Sequence, residues 1–401
     1  MRLILLTAGS RGDVEPFVAL AREAQRRGHQ VRLCVPENSG ADVSGLDAVT
    51  LGVDFARLVD RQGVSPLAAV RALRQTVRPL MRRLFVAAVE RCLEFQPDLV
   101  VHHPKVLSAG FAAERLQVPR VVAEIVPSVT ATRAFPAPGV VDVDLGPLNR
   151  ATYLASGAAA RMFASELDVA RQTAGLRAGQ QIEPPQATLV PVSPHLLPRP
   201  EDWPADVHLT GAWDERRTAD LEPAVQQFVR RPFLYAGFGS MAAGDPRRRA
   251  ATIIAAARAH GLAVLAVTGW GGLEVPATLQ GDDVLVVPAA PHAQVLPHAA
   301  VAVHHGGAGT VHAAARAGTV SIVVPFVADQ PFWGRLLHRA GLGPAPVRQQ
   351  RLTLGRLDRA LGLADECRPV AQLVGAQLRR EDGTATAVDL LEAQVGQRAG
   401  R

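Results

Sequence analysis

One stretch of the sequence, residues 301–333, constrains the fold of this chain more than any other. It begins with an apolar run typical of a β-strand, residues 301–303, and breaks at a polar, glycine-rich segment, residues 304–310. A helix-forming segment follows, and a second apolar run, residues 321–324, ends at a proline. Strand, glycine-rich turn, helix and strand in this order point backbone N–H groups and a helix N-terminus at an anion.

The residue types of this turn favour a phosphate. Its glycines allow positive φ angles and a close approach of the backbone to the ligand. Thr310 stands at the predicted N-cap, where its hydroxyl can cap the helix or bind a phosphate oxygen. The predicted diphosphate-binding residues of the turn are His305, Gly306, Gly307, Ala308, Gly309 and Thr310. The alternative is a glycine-rich turn that serves only close packing.

The same order of elements occurs at two other places. Residues 3–35 read as strand, glycine-bearing turn, amphipathic helix (predicted over residues 14–27) and strand, and residues 233–268 repeat the plan. Two Rossmann-like domains in tandem are therefore predicted, with ligands beyond the carboxyl ends of the strands. Gly239 and Ser240, in the turn of the second repeat, are expected to contact the same diphosphate from the opposite side.

Composition limits the kinds of partner. A chain of 401 residues with 48% hydrophobic and 20% charged residues is predicted to be an ordered protein of two or more domains. The net charge of +6 suits anionic ligands such as nucleotides. With aromatic residues at 4%, the sequence lacks the interleaved aromatic and basic residues of nucleic-acid-binding proteins, so no nucleic-acid partner is expected.

The cysteines and the apolar runs indicate a cytoplasmic protein. Three cysteines lie far apart, without the spacing of a zinc site or a disulfide framework, which favours a reducing compartment. Met1 leads directly into a predicted strand, which leaves no room for a signal peptide. No apolar run reaches the roughly 18 residues that a membrane span requires, so no transmembrane segment is expected.

The segment HHGGAGT at residues 304–310, followed by Asp329, Gln330 and Pro331, resembles the donor-site signature of the inverting glycosyltransferases of family 1, which have the GT-B fold. That family includes bacterial antibiotic glycosyltransferases and sterol glucosyltransferases. The resemblance covers nearly the whole chain and is strongest at residues 1–36 and 232–345. It implies two Rossmann-like domains facing a cleft, with a nucleoside-diphosphate sugar as substrate and neither a metal nor another cofactor.

Together with the proline-dense stretch at residues 184–213, the resemblance divides the chain into four parts. Residues 1–200 form the predicted acceptor-binding domain, and residues 201–217 the predicted linker. Residues 218–378 form the predicted nucleotide-sugar-binding domain. Residues 379–401 are predicted to be a helix that returns to the first domain.

The turn GSRGDVEP at residues 9–16 is close to the first loop of the family, whose aspartate acts as the base toward the acceptor hydroxyl. The resemblance therefore implies that Asp13 is the base and that Ser10 assists it or contacts the donor. The chemistry needs such a group within hydrogen-bonding distance of the attacking hydroxyl. The structural alternative is that Asp13 only caps the helix that follows.

Other candidates come partly from strand ends and loops and partly from the resemblance. The loop after residues 284–287 is expected to hold the nucleobase, by resemblance, through Ala289, Ala290, Pro291 and Val295. Asp329 and Gln330 suit sugar hydroxyls, with helix capping as the alternative. A predicted strand end at residues 102–103, the long loop at residues 127–146 and the resemblance supply the candidate acceptor residues. These are His102, His103, Phe135 and Trp333.

Two further features carry weaker predictions. Asp142 and Asp144 form a DxD triplet, the metal-binding motif of glycosyltransferases with the other major fold, but its position in a loop far from the phosphate turn favours chance. A basic stripe runs along a helix predicted over residues 65–96 and is either a solvated face or a contact with an anionic membrane surface or an acidic acceptor. The stripe comprises Arg71, Arg74, Arg78 and Arg82.

The sequence thus predicts a metal-independent, inverting glycosyltransferase that uses a dTDP- or UDP-sugar and a small natural-product acceptor. A sterol or lipid glycosyltransferase with peripheral membrane contact is the alternative, because PFVADQPFWG at residues 325–334 also resembles that branch. From another class, a non-catalytic protein that only binds a nucleotide sugar stays open. A dehydrogenase is disfavoured because the third glycine of the G-x-G-x-x-G fingerprint is misplaced and no acidic residue follows the next strand.

Overall fold

The computed structural model describes residues 1–55, 73–215, 221–239, 241, 243–269 and 271–399. Within these residues the chain forms two parallel β-sheets with helices on both faces of each. This is the predicted α/β class with two Rossmann-like domains.

The first domain is built on seven described strands, which form one sheet. The strands are β1 Arg2–Leu6, β2 Gln30–Glu37, β3 Asp47–Asp54, β4 Leu99–His102, β5 Arg120–Ala123, β6 Ala187–Val190 and β7 Val207–Leu209. Their order is β3-β2-β1-β4-β5-β6-β7, and every pair is parallel. The helices are α1 Arg11–Arg26, α2 Arg78–Phe95, α3 Ala109–Leu116, α4 Asn149–Thr152, α5 Leu154–Met162 and α6 Ala164–Thr173.

The second domain has a sheet of five described strands, also all parallel. The strands are β8 Phe233–Gly237, β9 Ala263–Val267, β10 Val284–Val287, β11 Val301–His304 and β12 Val320–Val323. Their order is β10-β9-β8-β11-β12. The helices are α7 Pro223–Phe228, α8 Pro246–Ala259, α9 His292–Val295, α10 Ala308–Ala317, α11 Gln330–Arg339, α12 Leu354–Gly362 and α13 Ala364–Arg380.

Both sheets reverse their strand order at the first strand of the domain. Strand β1 lies between β2 and β4, and β8 lies between β9 and β11. In open α/β sheets a ligand crevice forms beyond the carboxyl ends of the strands at such a point. The turns after β1 and β4 therefore meet in the first domain, and the turns after β8 and β11 meet in the second.

A hydrophobic cluster joins the two domains. Phe135 of the first domain packs against Phe332 of the second, with 5.1 Å between ring centroids. Ion pairs flank this cluster, because Asp144 pairs with Arg339 at 2.7 Å and Asp142 with Arg348 at 3.7 Å. Both carboxylates of the DxD triplet are thus engaged by arginines across the interface.

Two segments differ from the predicted boundaries. Strand β7 lies inside the predicted linker but pairs with β6, because the extended backbone that prolines favour also suits a strand. The last helix, α14 Gly383–Ala399, starts after a break at residues 381–382 and packs on α1. Its residues Val388 and Leu391 share a core with Phe17, and its Asp389 pairs with Arg27.

Candidate active site

The glycine-rich turn that is predicted to bind an anion lies between β11 and α10 of the second domain. The N-cap of α10 is Gly307, so Thr310 stands at the third helical position and not at the predicted N-cap. The early start follows from the extended conformation of Gly307, with φ −66° and ψ 140°, directly before the helix. The first N–H groups of a helix have no partner within it, and they carry the positive end of its dipole. The N–H groups of residues 308–310 can therefore bind a phosphate.

The two glycine turns of the second domain meet at the His305 ring. A Cβ at Gly307 would collide with His305 Nε2, and one at Gly239 would lie 3.5 Å from His305 Cε1. Gly239 also has a φ of +55°, which disfavours any other residue. The structure thus brings Gly239 and the 304–310 turn together, as the sequence predicts. Ser240, the neighbour of Gly239, lies outside the described residues.

Histidines of this turn are neutral at pH 7. Burial lowers the pKa of His305 to about 4. The neighbouring His292 accepts or donates a hydrogen bond with the Tyr235 hydroxyl at 2.9 Å, depending on its tautomer. Burial, followed by the charges of His305 and Arg11, lowers the pKa of His292 to about 4. Arg11 belongs to the first domain, so its positive charge contributes to the lowered pKa of His292 from across the cleft.

A buried arginine that sequence reasoning missed holds the loops around this turn. Arg249 on α8 is 2% exposed and donates to the carbonyls of Met241, Ala243 and Gly272. Its guanidinium also lies about 5 Å from the ring centroids of Phe238 and Phe326. The helix start carries three arginines in succession, Arg247 to Arg249, and the sequence does not show which of them is buried.

The predicted nucleobase loop follows β10 at the same edge. Ala289 is exposed, and Ala290 and Pro291 are half-buried, so all three are accessible. Val295 is 0% exposed within the core beneath the sheet, which contradicts its prediction as a base contact. The reason is that Val295 ends a short helix, α9, whose last turn packs inward.

In the first domain, α1 begins at Arg11, three residues earlier than predicted. Ser10 is the N-cap, and the Asp13 carboxylate accepts hydrogen bonds at Oδ2 from the Ser10 N–H (2.8 Å) and hydroxyl (3.1 Å). This reciprocal capping stabilises the helix start and accounts for its position. Asp13 therefore caps the helix as the alternative predicts, but only through Oδ2, one of its two carboxylate oxygens.

The other oxygen faces two groups from the turn after β4. Oδ1 of Asp13 lies 2.8 Å from Lys105 Nζ and 3.3 Å from His103 Nε2. Burial by itself raises the pKa of Asp13, but the hydrogen bond from His103 and the positive charge of Lys105 outweigh it and hold that pKa well below its usual range. Gly9, with a φ of +134°, packs against this cluster, where a Cβ would collide with the Asp13 carboxylate. Asp13 is therefore a held carboxylate anion.

His103 has a positioning role that the sequence prediction did not assign to it. Its Nδ1 accepts the Lys105 backbone N–H at 3.1 Å, so the neutral ring carries its proton on Nε2 and donates to Asp13. Burial lowers the pKa of His103 despite the opposing effect of Asp13, which favours that neutral form. His102 lies apart from this cluster: its Nδ1 donates to the His103 carbonyl, and its Nε2 faces Arg120.

Asp329 and Gln330 lie on the facing loop of the second domain. Asp329 Oδ2 accepts the Trp333 indole N–H at 2.6 Å. Burial raises the pKa of Asp329, and Asp13 raises it further, so the two carboxylates act on each other across the cleft. The Gln330 amide oxygen accepts from the N–H groups of Phe326 and Val327, which precede helix α11, and the N-cap Asp329 makes no side-chain cap bond, so neither side chain caps the helix as the alternative predicts.

The structure does not expose two of the candidate acceptor residues. Trp333 is 0% exposed and Phe135 is 5% exposed, and both belong to the core between the domains. This contradicts the prediction that they line the acceptor pocket, because the neighbouring aromatic rings cover them. The role of Trp333 is instead to fix Asp329 through its indole N–H.

The basic stripe is only partly described. Arg71 lies outside the described residues, whereas Arg78 donates to the Met162 carbonyl and pairs with Glu166. In the described part of the chain, no group of three or more histidine, cysteine or acidic side chains could hold a metal ion. No helix described by the structure is both long and apolar enough to cross a membrane.

Two parallel α/β domains, with a glycine-rich turn on one and the held Asp13 carboxylate on the other, have the architecture of a GT-B protein. The glycosyltransferase family 28 N-terminal domain matches residues 3–136, and the erythromycin biosynthesis protein CIII-like C-terminal domain matches residues 275–385. Glycosyltransferase GtfE of Amycolatopsis orientalis is 33% identical, with 99% of this chain and 98% of that protein covered.

Other relatives support the same architecture. A sterol 3-beta-glucosyltransferase of Arabidopsis thaliana is 29% identical over 97% of this chain, which spans 64% of the plant protein. The crystal structure of glycosyltransferase VinC in complex with dTDP has a TM-score of 0.71 at 21% identity, covering 99% of this chain and 100% of that one. The chain belongs to the family 1 glycosyltransferases of GT-B fold.

Proposed function

We propose that this glycosyltransferase transfers a sugar from a dTDP- or UDP-sugar to a hydroxyl group of a small natural-product acceptor, with inversion at the anomeric carbon. The observation that carries the proposal is the Asp13 carboxylate of the first domain, which Ser10, His103 and Lys105 hold at both of its oxygens beyond the end of β1. The proposed phosphate turn of the second domain lies at the corresponding edge of its own sheet, after β11.

In the proposed reaction the acceptor hydroxyl gives its proton to Asp13 as its oxygen attacks the anomeric carbon. The bond between that carbon and the diphosphate oxygen breaks, and its electron pair leaves with the diphosphate. General-base help of this kind contributes roughly 10²–10⁴ in rate. His103 and Ser10 orient the carboxylate through the hydrogen bonds described above.

The departing diphosphate gains negative charge, which several groups can stabilise together. One helix N-terminus contributes only about 0.3–2 kcal/mol. We therefore assign the rest to His305, to the turn at Gly239 and to the Arg11 guanidinium, which acts on His292 from the first domain. Preorganised donors of this kind commonly supply the largest share of catalysis. With these groups in place, we propose that no metal or other cofactor takes part.

The donor nucleotide is proposed from two sources. The VinC structure, whose fold this chain shares, contains dTDP. The half-buried Ala290 and Pro291 offer a nucleobase backbone groups and apolar contact, without a side chain that would distinguish thymine from uracil. We propose a cytoplasmic enzyme, in which the free cysteines Cys34, Cys92 and Cys367 stay reduced.

A second candidate is a sterol or lipid glycosyltransferase at a membrane surface. It is favoured by the sterol glucosyltransferase relatives and by exposed apolar side chains near α4 and α5. Leu148 and Leu154 are 68% and 74% exposed, and Arg150 lies between them in the sequence. Sedimentation with anionic vesicles separates the two candidates: binding that Leu148→Ser with Leu154→Ser abolishes supports the lipid acceptor.

The proposed function is tested with a panel of nucleotide sugars. A true donor at 100 times its Kd stabilises the folded protein by about 2.7 kcal/mol, which a thermal-shift assay detects. Transfer is then followed by mass spectrometry with a hydroxyl-acceptor panel, and the anomeric configuration by NMR. A nucleotide sugar that stabilises the protein but is never transferred would instead support the non-catalytic nucleotide-sugar-binding protein.

A further inference from the structure

The Asp13 carboxylate has no vacant acceptor position in this structure. A carboxylate offers about four lone-pair sites on its two oxygens. Lys105 and His103 approach Oδ1, and the N–H and hydroxyl of Ser10 approach Oδ2. An acceptor hydroxyl that is to give its proton to Asp13 must therefore first displace one of these four donors.

Of the four donors, the Lys105 ammonium is the one free to leave. Both Ser10 groups belong to the helix cap, and moving them would disrupt the start of α1. The His103 side chain is 8% exposed, and its other nitrogen is bonded to the Lys105 backbone N–H. The Lys105 side chain is 47% exposed and ends a flexible four-carbon chain.

The displaced ammonium stays beside the reacting hydroxyl, because the Lys105 backbone remains fixed to His103. There water can solvate it, since the side chain is 47% exposed, but an anionic partner competes with Asp13 for the ammonium more strongly than water does. Of the described residues, Asp329 also acts on it electrostatically, but that carboxylate is bonded to Trp333, and burial disfavours its charged form. An anion on the acceptor itself is the partner that arrives together with the hydroxyl.

We propose that Lys105 selects acceptors that carry a carboxylate or phosphate group close to the hydroxyl to be glycosylated. The acceptor anion draws the ammonium away from Asp13 Oδ1, and the hydroxyl takes its place on that oxygen. Lys105 keeps its proton throughout, while the hydroxyl proton passes to Asp13 and the hydroxyl oxygen attacks the anomeric carbon. This inference rests on the proposed function and names the acceptor class of the same site.

The test compares two acceptors that differ only in charge, 3-hydroxybenzoate and 3-hydroxybenzamide, with the wild-type chain and with Lys105→Met. The wild type is expected to have a kcat/KM at least tenfold higher for the acid than for the amide. In Lys105→Met the preference is expected to disappear or reverse, because the acid loses its partner and the amide no longer competes with the ammonium. Lys105→Arg, which keeps the charge, is expected to restore part of the preference for the acid.

Several results would overturn the inference. If Lys105→Met lowers the rate for both acceptors by the same factor, Lys105 has a general structural role. If it raises both equally, the ammonium competes with every acceptor and does not select an anion. Transfer to neutral acceptors but not to 3-hydroxybenzoate also refutes it, while leaving the proposed function intact. Absence of transfer to any acceptor would count against the proposed function itself.

Discussion

Replacing Asp13 with asparagine removes the charge of the proposed base while keeping the shape of its side chain. Loss of a general base lowers kcat by roughly 10²–10⁴. At about 1.36 kcal/mol per factor of ten, this range corresponds to about 3–5 kcal/mol added to the activation barrier. The phosphate turn lies on the other domain, so the Kd for the nucleotide sugar is expected to stay within about threefold of the wild-type value, well under one factor of ten.

The same substitution has a cost in stability that the structure also predicts. The asparagine amide has one acceptor oxygen, so it cannot satisfy Ser10, His103 and Lys105 together. Loss of a helix cap costs about 0.5–2 kcal/mol. Since Lys105 is nearly half exposed, solvent screening limits any further loss from its ion pair. With about 2–4 °C per kcal/mol for domains of this size, Tm is expected to fall by roughly 1–8 °C.

The assay measures initial rates of transfer at 25 °C, donor Kd by calorimetry and Tm by circular dichroism on the same preparations. Asp98→Asn is the matched control, because Asp98 is also a carboxylate of the first domain but lies at the amino end of β4, where it accepts the Arg2 N–H. That control is expected to keep wild-type kcat. A folded Asp13→Asn protein with kcat within tenfold of wild type would refute the assignment of Asp13 as the base.

Three other expectations concern the donor turn and the buried histidines. His305→Ala removes the proposed hydrogen bond to a charged phosphate, worth about 1.5–3 kcal/mol, so the donor Kd should rise roughly 10–150-fold by calorimetry; an unchanged Kd would exclude His305 from the diphosphate site. Arg249→Met leaves buried carbonyls without a partner, so Tm and donor affinity should fall together, whereas a change in acceptor KM alone would contradict its positioning role. Burial lowers the pKa values of His292 and His305 to about 4 and those of His102 and His304 to about 3, so the unfolded chain binds protons below pH 6.5 that the folded chain does not. Stability is therefore complete above pH 6.5 and falls between pH 6.5 and 4 by up to about 1.4 kcal/mol per pH unit for each such histidine; denaturant midpoints that do not change between pH 7 and 5 would contradict this.

The parts of the fold that the sequence predicts are those set by local chemistry. The strand predicted at residues 301–303 begins at its observed start, Val301, because an apolar run that ends at a glycine-rich turn is a local signal. The turn between this strand and helix α10 is predicted for the same reason, since its glycines lie next to both elements in the chain. That this turn binds a phosphate stays a prediction. Whether Thr310 or Gly307 caps the helix depends on backbone angles that the residue types did not fix.

The missed features depend on contacts between residues far apart in sequence. Asp13 and Lys105 are separated by 92 positions, and nothing in either local pattern predicts that they form an ion pair. Trp333 and Phe135 follow or lie within polar loops, which suggests exposure. Phe135 instead packs against Phe332 of the other domain, and Trp333 packs against Phe332 and His312 of its own domain within the cluster that joins the two domains. Burial of this kind is set by packing between the domains, which one sequence does not reveal.

The positive charge near the cleft comes from the first domain and not from the histidines of the second. His305 and His292 are neutral at pH 7, so the donor turn offers hydrogen bonds and a helix dipole to the diphosphate but no full positive charge from these two rings. The Arg11 guanidinium, which acts on His292, comes from the first residue of α1 in the first domain. Asp13 stands two residues further along the same helix. In the proposed reaction, a movement that brings Asp13 to the anomeric carbon therefore also brings Arg11, which pairs with Glu15 at 2.6 Å, toward the leaving diphosphate, because one helix start carries both residues.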